Sequence, residues 1–381
     1  MQEFRIDHTL DQRTKVNIKR PREIAYFSYD DQHNLKPFST ESLRYFYPAF
    51  FNVPHAPSPR PIDMSVGYQD LIYRDGSAAD EHLDSLLDTL EVHERREGKH
   101  CEVDFVTWRG MMTKFVTAPF DKDGWEMFAT KFQGTIYIEE SFEHKLKRQP
   151  AGRKLDVGSY YGYKFETLSM LDHPMQEVSR EDIESRPSRT VDTTAQYCSI
   201  VETAIGGHSM ILGGEVDGVM GFKPPSPLDP PRWVELKTTR EPTDPRGHRI
   251  FAEKLLKYWA QSFLIGCPTV AVGWRTQDGF LYRTIEMETQ KIPAQAKASG
   301  HCYWNANVCL ANAAGILGWL KENVHEGGVY RVWKQAKVER VCVRLETQMG
   351  GGTGEVVKGS FKEWRLSGGK GAGQGTEEGV V

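Results

Sequence analysis

Two short runs, Gly214-Glu215-Val216-Asp217-Gly218 and Trp233-Val234-Glu235-Leu236-Lys237, constrain this chain more than any other feature. Each alternates polar and apolar residues, the period of a strand whose successive side chains point to opposite faces. Glu215 and Asp217 are therefore expected to share one face, and so are Glu235 and Lys237. The stretch Lys223–Pro231 between the runs holds five prolines and reads as a rigid surface connection. Joined this closely, the two strands are expected to be sheet neighbours. Their carboxylates then meet the Lys237 ammonium in one small area. Bare carboxylates so close repel one another, so the arrangement calls for added positive charge, most simply a divalent cation.

Oxygen ligands of this kind suit Mg²⁺ or Mn²⁺. Lys237 would orient an attacking water or neutralise charge developing on a phosphate. A lone Glu-x-Lys reads as a solvated strand whose charges face water; the pairing with Glu215 and Asp217 is what points to a metal site. Glu166 ends the run Gly162-Tyr163-Lys164-Phe165-Glu166, whose aromatic residues would anchor it; the competing reading is an ordinary glutamate at an element end. Phe251, Leu255, Trp259 and Phe263 recur at fourfold spacing and predict a helix over 251–265. Lys254, Lys257 and Gln261 share another side of it, placed either to hold phosphate and sugar or simply to meet solvent. Trp108-Arg109-Gly110 falls mid-strand in this reading. Its guanidinium suits bidentate phosphate contact, or a structural ion pair.

Other signals carry less. The Gly350–Gly354 cluster matches neither a P-loop nor a dinucleotide fingerprint. His301-Cys302 with Cys309 lacks zinc spacing, and the six cysteines stand singly, which fits reduced thiols better than a disulfide framework. A net charge of −4 argues against wholesale coating of nucleic acid, though not against a local basic groove. No apolar run approaches a membrane span and no signal-peptide profile opens the chain, so a membrane partner is not expected. Lys19-Arg20-Pro21-Arg22 suits nuclear import, or a solvated arm.

Along the chain, residues 1–60 read as an irregular arm with one helix near Thr40–Phe50 and a proline-rich exit over Pro54–Pro61. Leu83, Leu86, Leu87 and Leu90 mark an amphipathic helix. Phe105–Pro119 and Trp125–Glu139 read as two antiparallel strands turning near Lys122-Asp123-Gly124. Strands are expected over Gln196–Thr203 and Met210–Met220, a hairpin over Pro268–Glu286, a long helix over Tyr303–Val324 and final strands over Val329–Glu346. From Gln348 onward glycine dominates and disorder is expected. The mixture predicts an α/β (α+β mixed) single domain with a central mixed β-sheet flanked by helices.

In order, these motifs resemble the DXO-type family of mRNA 5′-end quality-control nucleases, which includes fungal nuclear proteins that bind and support the nuclear 5′→3′ exoribonuclease. The matching stretches are Arg22–Ser28, Thr107–Gly110, Lys131–Thr135, Gly162–Glu166, Gly214–Gly218, Val234–Thr238 and Lys254–Leu264, within roughly residues 20–340. The resemblance implies an arm over 1–20, a decapping nuclease domain over 21–346 related to the Asp…Glu-x-Lys metal-dependent nucleases, and a glycine-rich tail over 347–381. It implies that Glu166, Asp217, Glu235 and the Leu236 carbonyl hold divalent ions, with Glu215 directly or through water. Lys237 and Gln261 would contact the scissile phosphate, and Trp108, Arg109, Gly110, Glu81 and Cys198 would line the RNA path. His33 stands where family members can carry Arg. The implied activity is removal of unmethylated or partly methylated caps, nicotinamide-dinucleotide caps or 5′-triphosphate, with processive 5′→3′ degradation in some members. A non-catalytic partner of the exoribonuclease and a DNA nuclease of the same chemistry are the alternative readings.

Overall fold

The computed structural model describes residues 1–50, 60–76, 78–149, 152, 154–226, 229–346 and 356–367. The first third holds β1 (Gln2–Arg5), β2 (Ile18–Tyr29), β3 (Leu35–Pro37), β4 (Tyr45–Phe46), β5 (Ile62–Asp63), α1 (Asp84–Glu97), β6 (Phe105–Trp108) and α2 (Arg109–Thr117). The hairpin of β7 (Trp125–Phe132) and β8 (Thr135–Glu140) comes after it, then α3 (Phe142–Arg148), α4 (Val157–Ser169), β9 (Met170–Leu171) and α5 (Arg180–Ser185). Next come β10 (Gln196–Ile205), β11 (His208–Glu215), β12 (Gly218–Val219), β13 (Trp233–Arg240) and α6 (Pro245–Ile265). The chain continues through β14 (Thr269–Arg275), β15 (Phe280–Glu288), α7 (Ile292–Ala298), α8 (Ala306–Asn323), β16 (Val329–Lys334), β17 (Arg340–Leu345) and α9 (Gly359–Leu366).

These elements build two sheets where one was expected. Ten strands run in the order β1-β17-β16-β7-β8-β6-β11-β10-β2-β3, and seven in the order β5-β15-β14-β13-β12-β4-β9. Both mix parallel and antiparallel pairs, as an α/β mixed domain requires. Apolar residues of α2, α6 and α8 share one core with both sheets, including Met112, Trp259, Ile316, Leu212 and Val272. Leu86, Leu87 and Leu90 of α1 pack with Phe27, Val106 and Tyr137 in a second core. Tyr161, Phe165 and Leu168 of α4 pack on Val234 and Leu236 in a third. Alternation along β13 then fixes where its polar groups go: Val234 and Leu236 face α4, which leaves Glu235 and Lys237 on the side of α6 and α2.

Several expected elements differ. Gln2–Arg5 is an edge strand paired with β17 rather than part of an irregular arm. Thr40–Phe50 is not helical: Leu43, Tyr47 and Phe50 are buried at helical spacing, yet the segment crosses the core and adds only the two-residue β4. Phe105–Pro119 is a short strand followed by a helix, and β6 runs parallel to both β8 and β11. The hairpin turns at Gln133-Gly134, whose φ values of 49° and 82° suit a tight two-residue turn, rather than at Lys122-Asp123-Gly124. Most of Pro54–Pro61, all of Gly350–Gly354 and the last fourteen residues of the expected tail, 368–381, lie outside the described residues. No helix among the described residues is long and apolar enough to cross a membrane.

The expected glycine-rich tail contains α9, and the apolar and charged residues between its glycines account for it. Phe361 and Trp364 are buried against α1, and Arg365 reaches Glu94, whose side chain is fully buried. Trp364 Nε1 donates to Glu94 Oε2 at 3.1 Å, and the Cys101 amide donates to Oε1 at 2.9 Å. Arg365→Ala would leave this carboxylate buried and short of its counter-charge, at an expected cost of ~3–5 kcal/mol. Urea denaturation measures it; a loss under ~1 kcal/mol would show that α9 is not a structural part of the domain.

Candidate active site

The site forms where the chain passes from one sheet to the other. Glu215 ends β11 in the ten-stranded sheet, Val216 is buried, and Gly218 opens β12 in the seven-stranded sheet. Asp217 sits in the crossing itself. The expected common strand face for Glu215 and Asp217 is therefore not formed; a sharp passage between sheets brings the two together instead. β12 pairs with β13, placing Gly218 opposite Val234, so Asp217 and Glu235 do come from neighbouring strands as expected. A Cβ on Gly218 would lie 2.7 Å from both the Arg44 carbonyl and the Met170 sulfur, which restricts this crossing to glycine.

Glu235 is the centre of the arrangement and only 3% exposed. Its Oε1 accepts from Lys237 Nζ at 2.6 Å and its Oε2 from Arg109 Nη1 at 3.1 Å. Burial alone would raise its pKa, but Lys237 and Arg109 outweigh burial and hold it at about 2. Lys237 responds in kind: burial opposes its charge, yet Glu235 and Asp217 push its pKa upward, so it stays protonated. Asp217 Oδ2 accepts from the Leu236 amide at 2.5 Å. Burial and the charge on Glu235 nevertheless raise Asp217 to about 7. Glu166, on α4, is pushed well above the carboxylate range by burial and then by Asp217 and Glu215. Glu215 is solvent-accessible but ringed by cleft walls; lost hydration raises its pKa, with Arg109 opposing.

Glu166, Glu215 and Asp217 line one small cleft with Arg44, Tyr163 and Gln196. Among the described residues no three His, Cys, Asp or Glu side chains close into a ready-made metal cluster. Arg109, Lys237 and the Leu236 amide occupy carboxylate oxygens that an ion would otherwise claim. The donor set still fits a hard divalent cation. It is all oxygen, and the mutual repulsion felt by Asp217 and Glu166 is what such a charge relieves.

The remaining expected residues divide. Trp108 and Arg109 are not mid-strand: β6 ends at Trp108, and Arg109 and Gly110 open α2. The Trp108 indole donates to the His82 carbonyl at 3.0 Å and lies against Gly213, where a Cβ would come within 2.7 Å of the ring. That packing aims Arg109 at Glu235, an ion pair within the site. Cys198 is buried directly across from Glu215 in the β10–β11 pair, and burial with the Glu215 charge raises its thiol pKa. Gln261 is partly buried on α6. Lys254 turns to Thr239 Oγ1 at 2.6 Å, whereas Lys257 is drawn to Asp121 and Asp123 at 3.1 and 3.2 Å. Glu81 is exposed and pairs with Arg74, with His33 Nε2 at 3.8 Å from its Oε1. His33 has φ of 61°, stacks on Tyr29 at 3.7 Å and bonds the Thr194 carbonyl through Nδ1 at 2.9 Å.

Arg44 is the cleft residue that sequence reasoning missed. Its positive charge favours ionised Glu166 and Glu215. The false helix over Thr40–Phe50 hid it; the signal available was a single Arg amid Leu43, Tyr45, Phe46 and Tyr47.

A family model described as RAI1 like PD-(D/E)XK nuclease matches residues 19–362. The chain is 45% identical over 349 residues to Decapping nuclease RAI1 of Emericella nidulans, across 91% of this chain and 94% of that protein. Candida albicans Rai1 in complex with pU5-Mn2+ superposes with a TM-score of 0.85 at 25% identity, over 97% of this chain and 100% of that one. Scheffersomyces stipitis Rai1 in complex with (3'-NADP)+ and calcium ion does so with a TM-score of 0.82 at 26% identity, over 94% and 99%. Family match, sequence identity, matched length and fold agree: the chain belongs to the RAI1-like PD-(D/E)XK nuclease family.

Proposed function

We propose that this nuclease is a divalent-cation-dependent decapping hydrolase acting at RNA 5′ ends. It removes incomplete, unmethylated or nicotinamide-dinucleotide caps, and 5′-triphosphate as pyrophosphate, in nuclear mRNA quality control. There it also binds and supports a 5′→3′ exoribonuclease. The observation that carries the catalytic reading is the division of the Glu235 carboxylate between Lys237 and Arg109, beside Asp217 and Glu166. The similarity to a decapping nuclease of Emericella nidulans supports the RNA 5′ end as substrate. The (3'-NADP)+ bound by Scheffersomyces stipitis Rai1 supports dinucleotide caps.

Glu166, Asp217, Glu235 and the Leu236 carbonyl would hold Mg²⁺ or Mn²⁺, with Glu215 completing the shell. Bound there, such an ion lowers the pKa of water and offsets charge on the phosphate. The protein's own part is charge and position. Because Lys237 Nζ stays protonated, it works as a hydrogen-bond donor and fixed cation rather than as a base. Arg109 supplies a second fixed cation from the start of α2, oriented by Trp108. Glu235, ionised at any working pH, is a ligand that needs no deprotonation. Gln261, on α6, would contact the scissile phosphate.

Lys237→Ala should lower release of the 5′ group by ~10²–10³-fold under Mn²⁺, the usual loss for a fixed transition-state donor. Product mass from triphosphorylated, unmethylated-cap, methylated-cap and nicotinamide-cap RNA reads it. Wild-type turnover by the variant, or four intact 5′ ends after incubation with the wild type, would overturn the reading.

A second expected outcome concerns the metal-free protein. Asp217 holds a folded-state pKa of about 7 against an ordinary 3.8, so between ~4 and ~7 the native state binds more protons than the unfolded chain. Stability therefore falls as pH rises through that window and levels off above it. Asp217→Asn should abolish most of this loss, worth on the order of 4 kcal/mol, and so melt above the metal-free wild type at pH 8 but not at pH 4. Saturating Mn²⁺ should stabilise the wild type at pH 8 and the variant much less. Parallel melting curves without metal across that range would refute the assignment of Asp217.

A further inference from the structure

Three cations gather beyond the active site, at the far end of the strand that carries Glu235. Arg240 closes β13 in register with Arg275, which closes the parallel strand β14. Lys254 of α6 reaches the same end through its bond to Thr239. All three have neutral partners. Arg240 Nη1 donates to Gln277 Oε1 at 2.6 Å, Arg275 Nη1 to the Thr276 carbonyl at 3.1 Å, and Lys254 to the Thr239 hydroxyl. Among the described residues none of them forms an ion pair. The adjacent acid, Glu241, is taken up by Arg283 and by the Tyr282 hydroxyl at 2.8 Å.

The cations work against one another. Burial, then the charges of Arg275 and Arg240, lowers the pKa of Lys254. Burial and Arg240 also lower Arg275, against the favourable influence of Tyr161. Arg275 Nε is moreover buried with no hydrogen-bond acceptor. Like charges held together without counter-charge disfavour folding, so their presence at one point asks for an anion from outside. The place suits one: ligands of α/β sheets bind at the carboxyl ends of parallel strands.

Position identifies the anion. Arg240 lies five residues beyond Glu235, ~16 Å along the strand, and the odd step turns its side chain toward the α4 face, where the neighbouring Arg275 meets Tyr161. A phosphate at the reacting bond falls to Lys237 and Arg109, so a group this far along takes a different phosphate of the same molecule. Arg240 is exposed, which leaves that end of the path open to a polymer. The Tyr161 ring is covered by the Arg275 guanidinium at 4.8 Å, and Tyr258 is buried, so neither offers a free face for a base. Contact without stacking is contact with the backbone, and it carries no sequence preference.

We propose that Arg240, Lys254 and Arg275 form a phosphate-binding site for the backbone of single-stranded RNA, remote from the bond that is cleaved. The inference rests on the RNA 5′-end reading and extends it to the length of the substrate. The test is fluorescence anisotropy of 5′-phosphorylated oligouridylates of increasing length, bound to the full chain with Ca²⁺ over a range of salt. Arg240→Ala/Arg275→Ala should weaken binding of long oligomers about tenfold or more. It should also make the dependence of log K on log salt shallower by ~1.4, or ~0.7 per charge removed from a single strand. A dinucleotide should bind variant and wild type alike.

Arg240→Ala alone, altering an exposed side chain, should give about half the change in slope. Arg240→Lys/Arg275→Lys should restore the slope. An unchanged slope in Arg240→Ala, or equal weakening for dinucleotide and long oligomer, would overturn the site. Because anisotropy needs no turnover, length-dependent RNA binding without cap release would uphold this site while refuting the decapping reading.

Discussion

The Glu235 carboxylate, bound by Lys237 on one oxygen and Arg109 on the other, is the interaction on which the rest of this site depends. A buried carboxylate survives only when its charge is matched and its oxygens are bonded. Here the two cations come from different layers: Lys237 from the same strand of the seven-stranded sheet, Arg109 from the helix after β6 of the ten-stranded sheet. The ion pair is therefore also a tie between sheets, and whatever moves one sheet against the other changes the electrostatics of the site.

That dependence explains why the carboxylates do not share one strand face. A single strand offers one face and fixes its side chains at a two-residue repeat. The crossing at Val216 instead lets Glu215 arrive from one sheet and Asp217 from the edge of the next, while Glu166 approaches on α4. Acids gathered from three elements meet without any one element having to bear their repulsion. Burial first, and the neighbouring carboxylates after it, raise the pKa values of Asp217 and Glu166. Lys237 opposes that rise in both without cancelling it.

The sequence made the chemistry easier to read than the route that assembles it. Glu235 and Lys237 were legible because period-two alternation needs only local geometry, and α1, α6 and α8 because their apolar stripes are long. Arg109 was misplaced because Phe105-Val106-Thr107-Trp108 is rich in β-branched and aromatic residues, and nothing local in Arg109-Gly110-Met111-Met112 announces a helix start. Packing of Met111, Met112 and Phe115 into the core decides it. The hairpin turn was missed because Gln-Gly is a weaker turn signal than Asn-Gly or Asp-Gly, although its backbone adopts the same positive φ at both positions. Leu43, Tyr47 and Phe50 satisfied helical spacing while serving an irregular crossing, and Arg44 was lost with them.

Charge distribution links these points to function. With 48 basic and 52 acidic residues, the chain has no net field to draw a polyanion. Attraction must then come from where cations are left unmatched. Many surface cations pair with carboxylates, as Lys19 and Arg22 do with Glu202, and so contribute little field of their own. Others have no carboxylate partner among the described residues: Arg44 in the cleft, and Arg240, Lys254 and Arg275 at the strand ends. The proposed site would thereby concentrate the phosphate affinity of a nearly neutral protein at strand ends, which favours a strand threaded by its end over a duplex bound along its side.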